Sequence, residues 1–523
     1  MIKLYWYITG YIRKHGLKFL SVIAASAVVF SLILPSLFRY FHHRQTYYIG
    51  LVGEYDFTNL PDEVKSQLSR SLVRFDETCE FDENNLDLAA KLEIEEGGRR
   101  YRFTLEDGLV WQDGKEFEAR DVNYRLRDAQ VTYEGNQVIY DLPAPLASFP
   151  QSLTEPLLRL EHVKKLGLFD QVRVWGIGAT QLTSYEWIDS SHHALSQVVL
   201  DDFDNRARFI YRFYYTQDEA VEAFKLGQID FLGDVTNVSE VKDWEITNVR
   251  ERKLTNQYLA VFFNADDPQL TRGVRQALSY AVEKERAGYE RAISPINERC
   301  SWAYFSGAKK YDKNIDSAVE RLLDELPGEP IELNLVTTTA YYDIAESIKK
   351  DWEELGDAAV TACQQSKDIA AEDKNQCEYL RIQVHIQIQT IPDTNNFQTM
   401  LVGQKIPLDP DQYSLWHSGL ATNFTHYKNT RVDKLLEEGR QKIKTSERGT
   451  IYQEFQQNLL EDPPAIFLWH LTSFDLARGD NLAVIDLSKL RHRDETPQTD
   501  AQAPDTENEN TDDQQQEEHS EDI

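Results

Sequence analysis

Apolar and polar positions along this chain recur with two periods, and each period marks its own elements. Tyr47-Tyr-Ile-Gly-Leu-Val-Gly53 is a short apolar run and reads as the first strand. Arg206-Ala-Arg-Phe-Ile-Tyr-Arg-Phe-Tyr-Tyr215 alternates with period two, as a half-buried strand does. Ile382-Gln-Val-His-Ile-Gln-Ile-Gln389 does the same, with Ile382, Val384, Ile386 and Ile388 on one face. Helical spacing appears from Asp218 to Asp230, closed by Gly227 and followed by a strand. Leu333 to Val336 reads as a strand, and Tyr342 to Leu355 as a helix closed by Gly356. The stretch Tyr101 to Val122 is the richest in signals. It predicts a strand, a turn at Asp107-Gly108, a short strand, a turn at Asp113-Gly114, and a helix starting at Val122 under an Asp121 cap. Strand–helix units that repeat in this way predict an α/β protein with partly parallel sheets. No period of solenoid length is present.

The two ends break the pattern. Phe19 to Phe38 is uncharged and mostly apolar, long enough as a helix to span a hydrocarbon layer of ~30 Å. Lys3, Arg13, Lys14 and Lys18 precede it and Arg39 and Arg44 follow, which favours an N-terminus inside the cell. The bulky, basic Phe38-Arg-Tyr-Phe41 that follows does not suit a cleaved signal peptide. Residues 1–18 are therefore expected to be cytoplasmic and 19–39 a transmembrane anchor, with the main domain extracytoplasmic, at the cell surface or in the periplasm. At the other end, residues 494–523 are rich in Asp, Glu, Gln, Asn, Thr and Pro; such a tail cannot offset the entropy of ordering and is expected to be disordered.

Composition narrows the function. A net charge of −31 argues against nucleic acid and against an anionic lipid surface, both of which call for basic patches. With 523 residues, 41% of them apolar, the chain has room for two to four lobes. The four cysteines, Cys79, Cys300, Cys363 and Cys377, show no zinc-ligand spacing. They allow three pairings, which spacing does not decide; Cys363 and Cys377 bracket a polar stretch and form the favoured pair. No nucleophile elbow, zinc-protease motif or phosphate loop is present, so no catalytic residue, metal ligand or cofactor is assigned. The neighbouring His42/His43 and His192/His193 point apart on a regular element and do not suggest a metal site.

Several blocks occur in a telling order. Leu72-Val-Arg-Phe-Asp76 and Leu88-Ala-Ala-Lys-Leu92 precede the Tyr101–Val122 segment, and Gly176-Ile-Gly-Ala-Thr-Gln-Leu182 follows it. Then come Phe263-Asn-Ala-Asp266, Val274-Arg-Gln-Ala-Leu-Ser-Tyr-Ala-Val-Glu-Lys-Glu285, and Tyr311-Asp with Ala318-Val-Glu-Arg-Leu-Leu323. Last are His426-Tyr-Lys-Asn-Thr-Arg-Val-Asp-Lys-Leu-Leu436 and Arg448-Gly-Thr-Ile-Tyr-Gln-Glu454. Over roughly residues 47 to 490 this order resembles the extracytoplasmic solute-binding proteins of family 5, which serve ABC importers of peptides, dipeptides and nickel. The resemblance implies a periplasmic-binding-protein-like type II α/β fold of three lobes. Lobe I would comprise 47–75, 179–263 and 471–492, lobe II the insertion 76–178, and lobe III 264–470. Two crossings, Tyr258 to Asn264 and Ile466 to Phe474, would form the hinge, with ligand clamped between lobes I and III. Arg275 and Asp433 are read as structural.

The resemblance also implies partners: a peptide or similar small solute, and the permease and ATPase subunits of an ABC importer. Peptide-binding members hold the ligand amine with an aspartate, and here that position falls on Ile406, within Gly403-Gln-Lys-Ile-Pro-Leu-Asp-Pro-Asp411. Either Asp409 or Asp411 takes the role, or no peptide amine is read; the alternative use of both is as turn residues. The candidate ligand-binding set is Tyr258, Asp409, Asp411, Tyr413, Trp416 and His417. Aromatic walls suit sequence-tolerant pockets, and each of these rings could equally be core. A ligand sensor or an adhesion protein on the same fold is the alternative function.

Overall fold

In the computed structural model of the chain, the described residues are Trp6 and 45–479, apart from 76–77, 80–85, 166–168, 190–192, 326 and 367–373. The expected membrane span, the acidic tail and His42, His43 and His192 lie outside them. No helix among the described residues is long and apolar enough to cross a membrane.

Sixteen strands are described: β1 (Gln45–Val52), β2 (Ala89–Glu95), β3 (Arg100–Leu105), β4 (Gln130–Glu134), β5 (Gln137–Asp141), β6 (Arg159–Lys165), β7 (Phe169–Trp175), β8 (Thr180–Trp187), β9 (Leu195–Asp202), β10 (Ala207–Tyr214), β11 (Phe231–Val235), β12 (Thr247–Phe263), β13 (Ile331–Thr337), β14 (Ile382–Ile388), β15 (Thr399–Lys405) and β16 (Ala465–Arg478). Ten of them form one mixed sheet in the order β14-β13-β15-β12-β16-β11-β1-β10-β9-β8. The parallel pairs, β1 with β10 and β11 and β13 with β14 and β15, are those separated by helices or long excursions.

The 17-residue β12 and the 14-residue β16 belong to both halves of this sheet. They pair in one register from Thr247–Arg478 to Leu254–Leu471; the register shifts before Tyr258–His470 and again between Leu259 and Ala260. The offset, residues 254–258 facing 470–471, divides the sheet. It lies just ahead of the first crossing expected from the sequence and inside the second. Beyond it, residues 258–263 of β12 are buried without alternation, because apolar layers cover both faces. One layer holds the helices Arg272–Ala281 and Tyr342–Gln365 around Leu278, Trp352 and Leu355; the other holds Thr430–Gln441 and Thr445–Glu461 around Leu436, Tyr452 and Phe455. On the other side of the offset, Ile49, Tyr211, Phe213 and Phe231 form a separate core.

An insert between β1 and β8 carries its own sheet, β2-β3-β5-β4, over a core of Tyr101, Phe103, Trp111 and Tyr140. Here both Asp-Gly turns form, with φ of +75° at Gly108 and +82° at Gly114, around a bridge from Val110 to Glu116. The expected helix after them does not. Residues 119–121 make a single 3-10 turn in which Glu118 is the cap and Asp121 its third residue. The Asp121 carboxylate accepts from the Trp111 indole at 3.0 Å and from the Glu118 amide at 2.9 Å, so it is not free to cap a helix at Val122.

Gly356 is a second correction. It does not stop the helix, which runs on to Gln365. A β-carbon there would come within 2.4 Å of the Ile382 backbone nitrogen, so its small size lets the helix approach β14. Arg275 and Asp433 are structural as expected: Arg275 pairs with Asp462 at 2.7 Å, and Asp433 accepts from the Ser418 amide at 2.8 Å. Cys363 is bonded to Cys377 and Cys79 to Cys300.

Candidate functional site

The segment leaving β15 carries most of the candidate residues. The Ile406 amide donates to Asn256 O at 2.8 Å, tying the segment to the offset in β12. The Ile406 side chain is buried among Tyr258, Met400 and Trp416, as an apolar residue at that place must be.

Asp409 and Asp411 both meet arginines. Asp409 is 3% exposed and takes a two-pronged bond from Arg448, Nη1 to Oδ2 at 2.9 Å and Nη2 to Oδ1 at 2.5 Å. Arg448 also donates to Gly439 O at 3.2 Å and stacks over Trp302 and Tyr452. Burial alone would pull its guanidinium down, but Asp409 and Tyr452 outweigh that and leave it raised. Asp411 lies 3.1 Å from Arg440 and accepts from Ser148 Oγ at 2.7 Å and from the Tyr413 amide at 3.0 Å. Burial lifts its carboxyl above the ordinary range, with Arg440 and Ser148 acting the other way.

Ser148 belongs to the insert, so this segment is also a junction. The Asp409 amide donates to Gln151 Oε1 at 2.7 Å, and the Ala147 amide donates to Arg440 O at 2.7 Å. At its rim the Tyr413 and His417 rings meet at 4.3 Å, tilted by 33°, with Arg440 4.2 Å above Tyr413. The Gly419 amide aims at His417 Nδ1 at 3.1 Å, which assigns the ring proton to Nε2, 3.2 Å from Glu437. Tyr413 and His417 are partly exposed; Tyr258 and Trp416 are enclosed with Phe262 and Phe467. The Tyr258 hydroxyl and the Trp416 indole N–H have no hydrogen-bond partner among the described residues.

A further cluster marks the offset itself. His470 Nδ1 meets Gln257 O at 3.0 Å, its amide donates to Glu290 O at 2.8 Å, and Lys253 pairs with Glu290 at 2.8 Å. Burial, and after it the neighbouring Glu290 carboxylate, raises the Glu298 carboxyl to about 7. No set of three or more His, Cys, Asp or Glu side chains among the described residues is arranged to hold a metal ion.

The structure therefore joins Asp409, Asp411, Tyr413 and His417 in one junction and places Tyr258 and Trp416 in the adjoining core. Sequence reasoning missed Arg440, Arg448, Ser148 and Gln151. For Arg448 a signal was available: Arg448 and Tyr452 stand four apart on one helix, and their block was already singled out.

No family model matches the chain. It is 22% identical over 491 residues to the oligopeptide-binding protein AppA of Bacillus subtilis, covering 83% of this chain and 87% of the relative. Among solved structures it resembles NikZ of Campylobacter jejuni, crystallised with Ni(L-His), with a TM-score of 0.63 and 22% identity over 83% of this chain and 94% of that one. It also resembles the ABC transporter substrate-binding protein CtaP of Listeria monocytogenes, with a TM-score of 0.64 and 18% identity over the same shares. In the order of its sequence blocks and in its fold, the chain resembles the family 5 solute-binding proteins. The mixed α/β fold is that of NikZ and CtaP, and AppA and CtaP are named as binding proteins.

Proposed function

We propose that this protein is a membrane-anchored extracytoplasmic receptor that captures a peptide or similar small solute between its lobes and passes it to an ABC permease. The observation that carries this reading is the shared pair β12 and β16. Two half-sheets with separate cores are joined by two strands with a register offset, an arrangement suited to closing over a guest. The relatives AppA and CtaP, a named oligopeptide-binding protein and a named transporter substrate-binding protein, support the class of function. The anchor is proposed from Phe19–Phe38 and its basic flanks.

Within the site, Tyr413 and His417 would be the rings that meet a ligand at the junction rim, where both are partly exposed. The unpaired Tyr258 and Trp416 donors would serve acceptor groups of a ligand if the rings around them parted. Asp409 and Asp411, engaged by arginines, are poorly placed to hold a free amine unless Arg440 or Arg448 moves. Thermal-shift screening of the full chain against peptide pools, nickel–histidine complexes and sugars tests the reading. A ligand at 100-fold its Kd stabilises by about 2.7 kcal/mol and raises the melting temperature. No shift with any class would favour the adhesion or scaffold alternative.

A further inference from the structure

The Cys79–Cys300 bridge joins parts of the chain that a clamping motion would separate. Leu72 and Val73 lie in the core of the insert, and the chain is back in that core at Leu88. Cys79, between them in sequence, lies in another core altogether, among Ile296, Cys300, Ala303, Ile406 and Trp416 of the far half. Cys79 is buried there in a left-handed bend, φ +59°, which a residue with a β-carbon seldom adopts. Its Cα is 5.0 Å from that of Cys300, 221 residues along the chain. The loop so closed contains all of β12 and most of the insert. The far half is thus attached at two places: through β12 and β16 at the offset, and covalently to the insert near the Asp409–Asp411 junction.

We infer that the Cys79–Cys300 disulfide is a latch that limits how far the far half can swing from the insert. A guest then enters through the gap left on the side away from the bridge. Cys363–Cys377 has no such effect, since both its cysteines lie in the far half. The inference rests on the lobe-closure reading.

The test is a distance distribution by pulsed electron spin resonance on the full chain. Maleimide spin labels are placed at Ser239→Cys and Ser347→Cys, both exposed and on opposite halves. With the bridge intact, one narrow distance is expected. In the C79S/C300S background the distribution should gain a population several ångströms longer, and in C363S/C377S it should not. If C79S/C300S does not fold, a phosphine acting on the folded, labelled protein gives the unlatched state. The S–S bond is then cleaved to two thiols while the phosphine takes oxygen from water to become its oxide, and mass spectrometry counts the thiols. Broad distributions both with and without the bridge overturn the latch and leave lobe motion standing. The same single narrow distance in both overturns the latch and the lobe-closure reading together.

Discussion

Replacing Arg448 by Met asks whether Asp409 is committed to the fold or free for a ligand. Met keeps much of the packing against Trp302 and Tyr452 but removes both bonds to the carboxylate. Asp409 is 3% exposed and Arg448 6%, so no water replaces them. Removing one partner of a buried pair costs about 3–5 kcal/mol, because the other charge stays buried without compensation. With a guanidinium slope of roughly 6 kcal/mol per M, a loss of about 4 kcal/mol lowers the unfolding midpoint by about 0.7 M. Tryptophan fluorescence reads it. The double variant D409L/R448M removes the stranded charge and should recover most of the loss. A midpoint for R448M within error of the wild type would refute the reasoning and return Asp409 to the list of residues able to bind a cationic group.

Two further outcomes follow from geometry. Glu298 has its folded-state pKa raised to about 7, so its contribution to stability is fully present below its unfolded pKa and is lost as pH rises through about 7. Glu298→Gln should flatten that decline in stability between about pH 5 and 8, as followed by thermal melts across the range. At Gly176 a β-carbon would stand 1.8 Å from the Leu68 carbonyl oxygen, a backbone atom that cannot turn aside. Gly176→Ala should cost about 3 kcal/mol, at the upper end for overpacking, whereas Gly97→Ala, with no neighbouring atom within 4 Å of the added carbon, should lose only what its φ of +66° imposes. Denaturant midpoints separate the two.

Periodicity carried the elements whose environment is two-sided. β10 alternates buried and half-buried positions throughout, so the pattern Arg206–Tyr215 was enough. The β14 pattern was read correctly for its strand, but the burial fades from Ile382 to an exposed Ile388 because β14 is the sheet edge. Gly356 misled because a glycine that ends a helix and one that admits a neighbouring strand look alike in one dimension. Asp121 misled because the competing donor, Trp111, reaches it only once the two Asp-Gly turns fold back. The six site candidates were chosen from a local stretch and one strand. What the carboxylates among them touch comes from 29 to 39 residues along the helices for Arg440 and Arg448, and from the insert for Ser148 and Gln151. Spacing within a segment has no access to partners of that kind. The same holds for Cys79 and Cys300.

The ribbon made by β12 and β16 has a mechanical consequence. Both strands keep their ladder of bonds on either side of the displaced register, so a swing cannot pivot on slack chain; it must flex a paired ribbon whose bonds resist. Under the proposed closure, such a joint would behave as a leaf spring. Part of the energy gained on gripping a guest would be held as curvature in those strands and returned when the guest leaves.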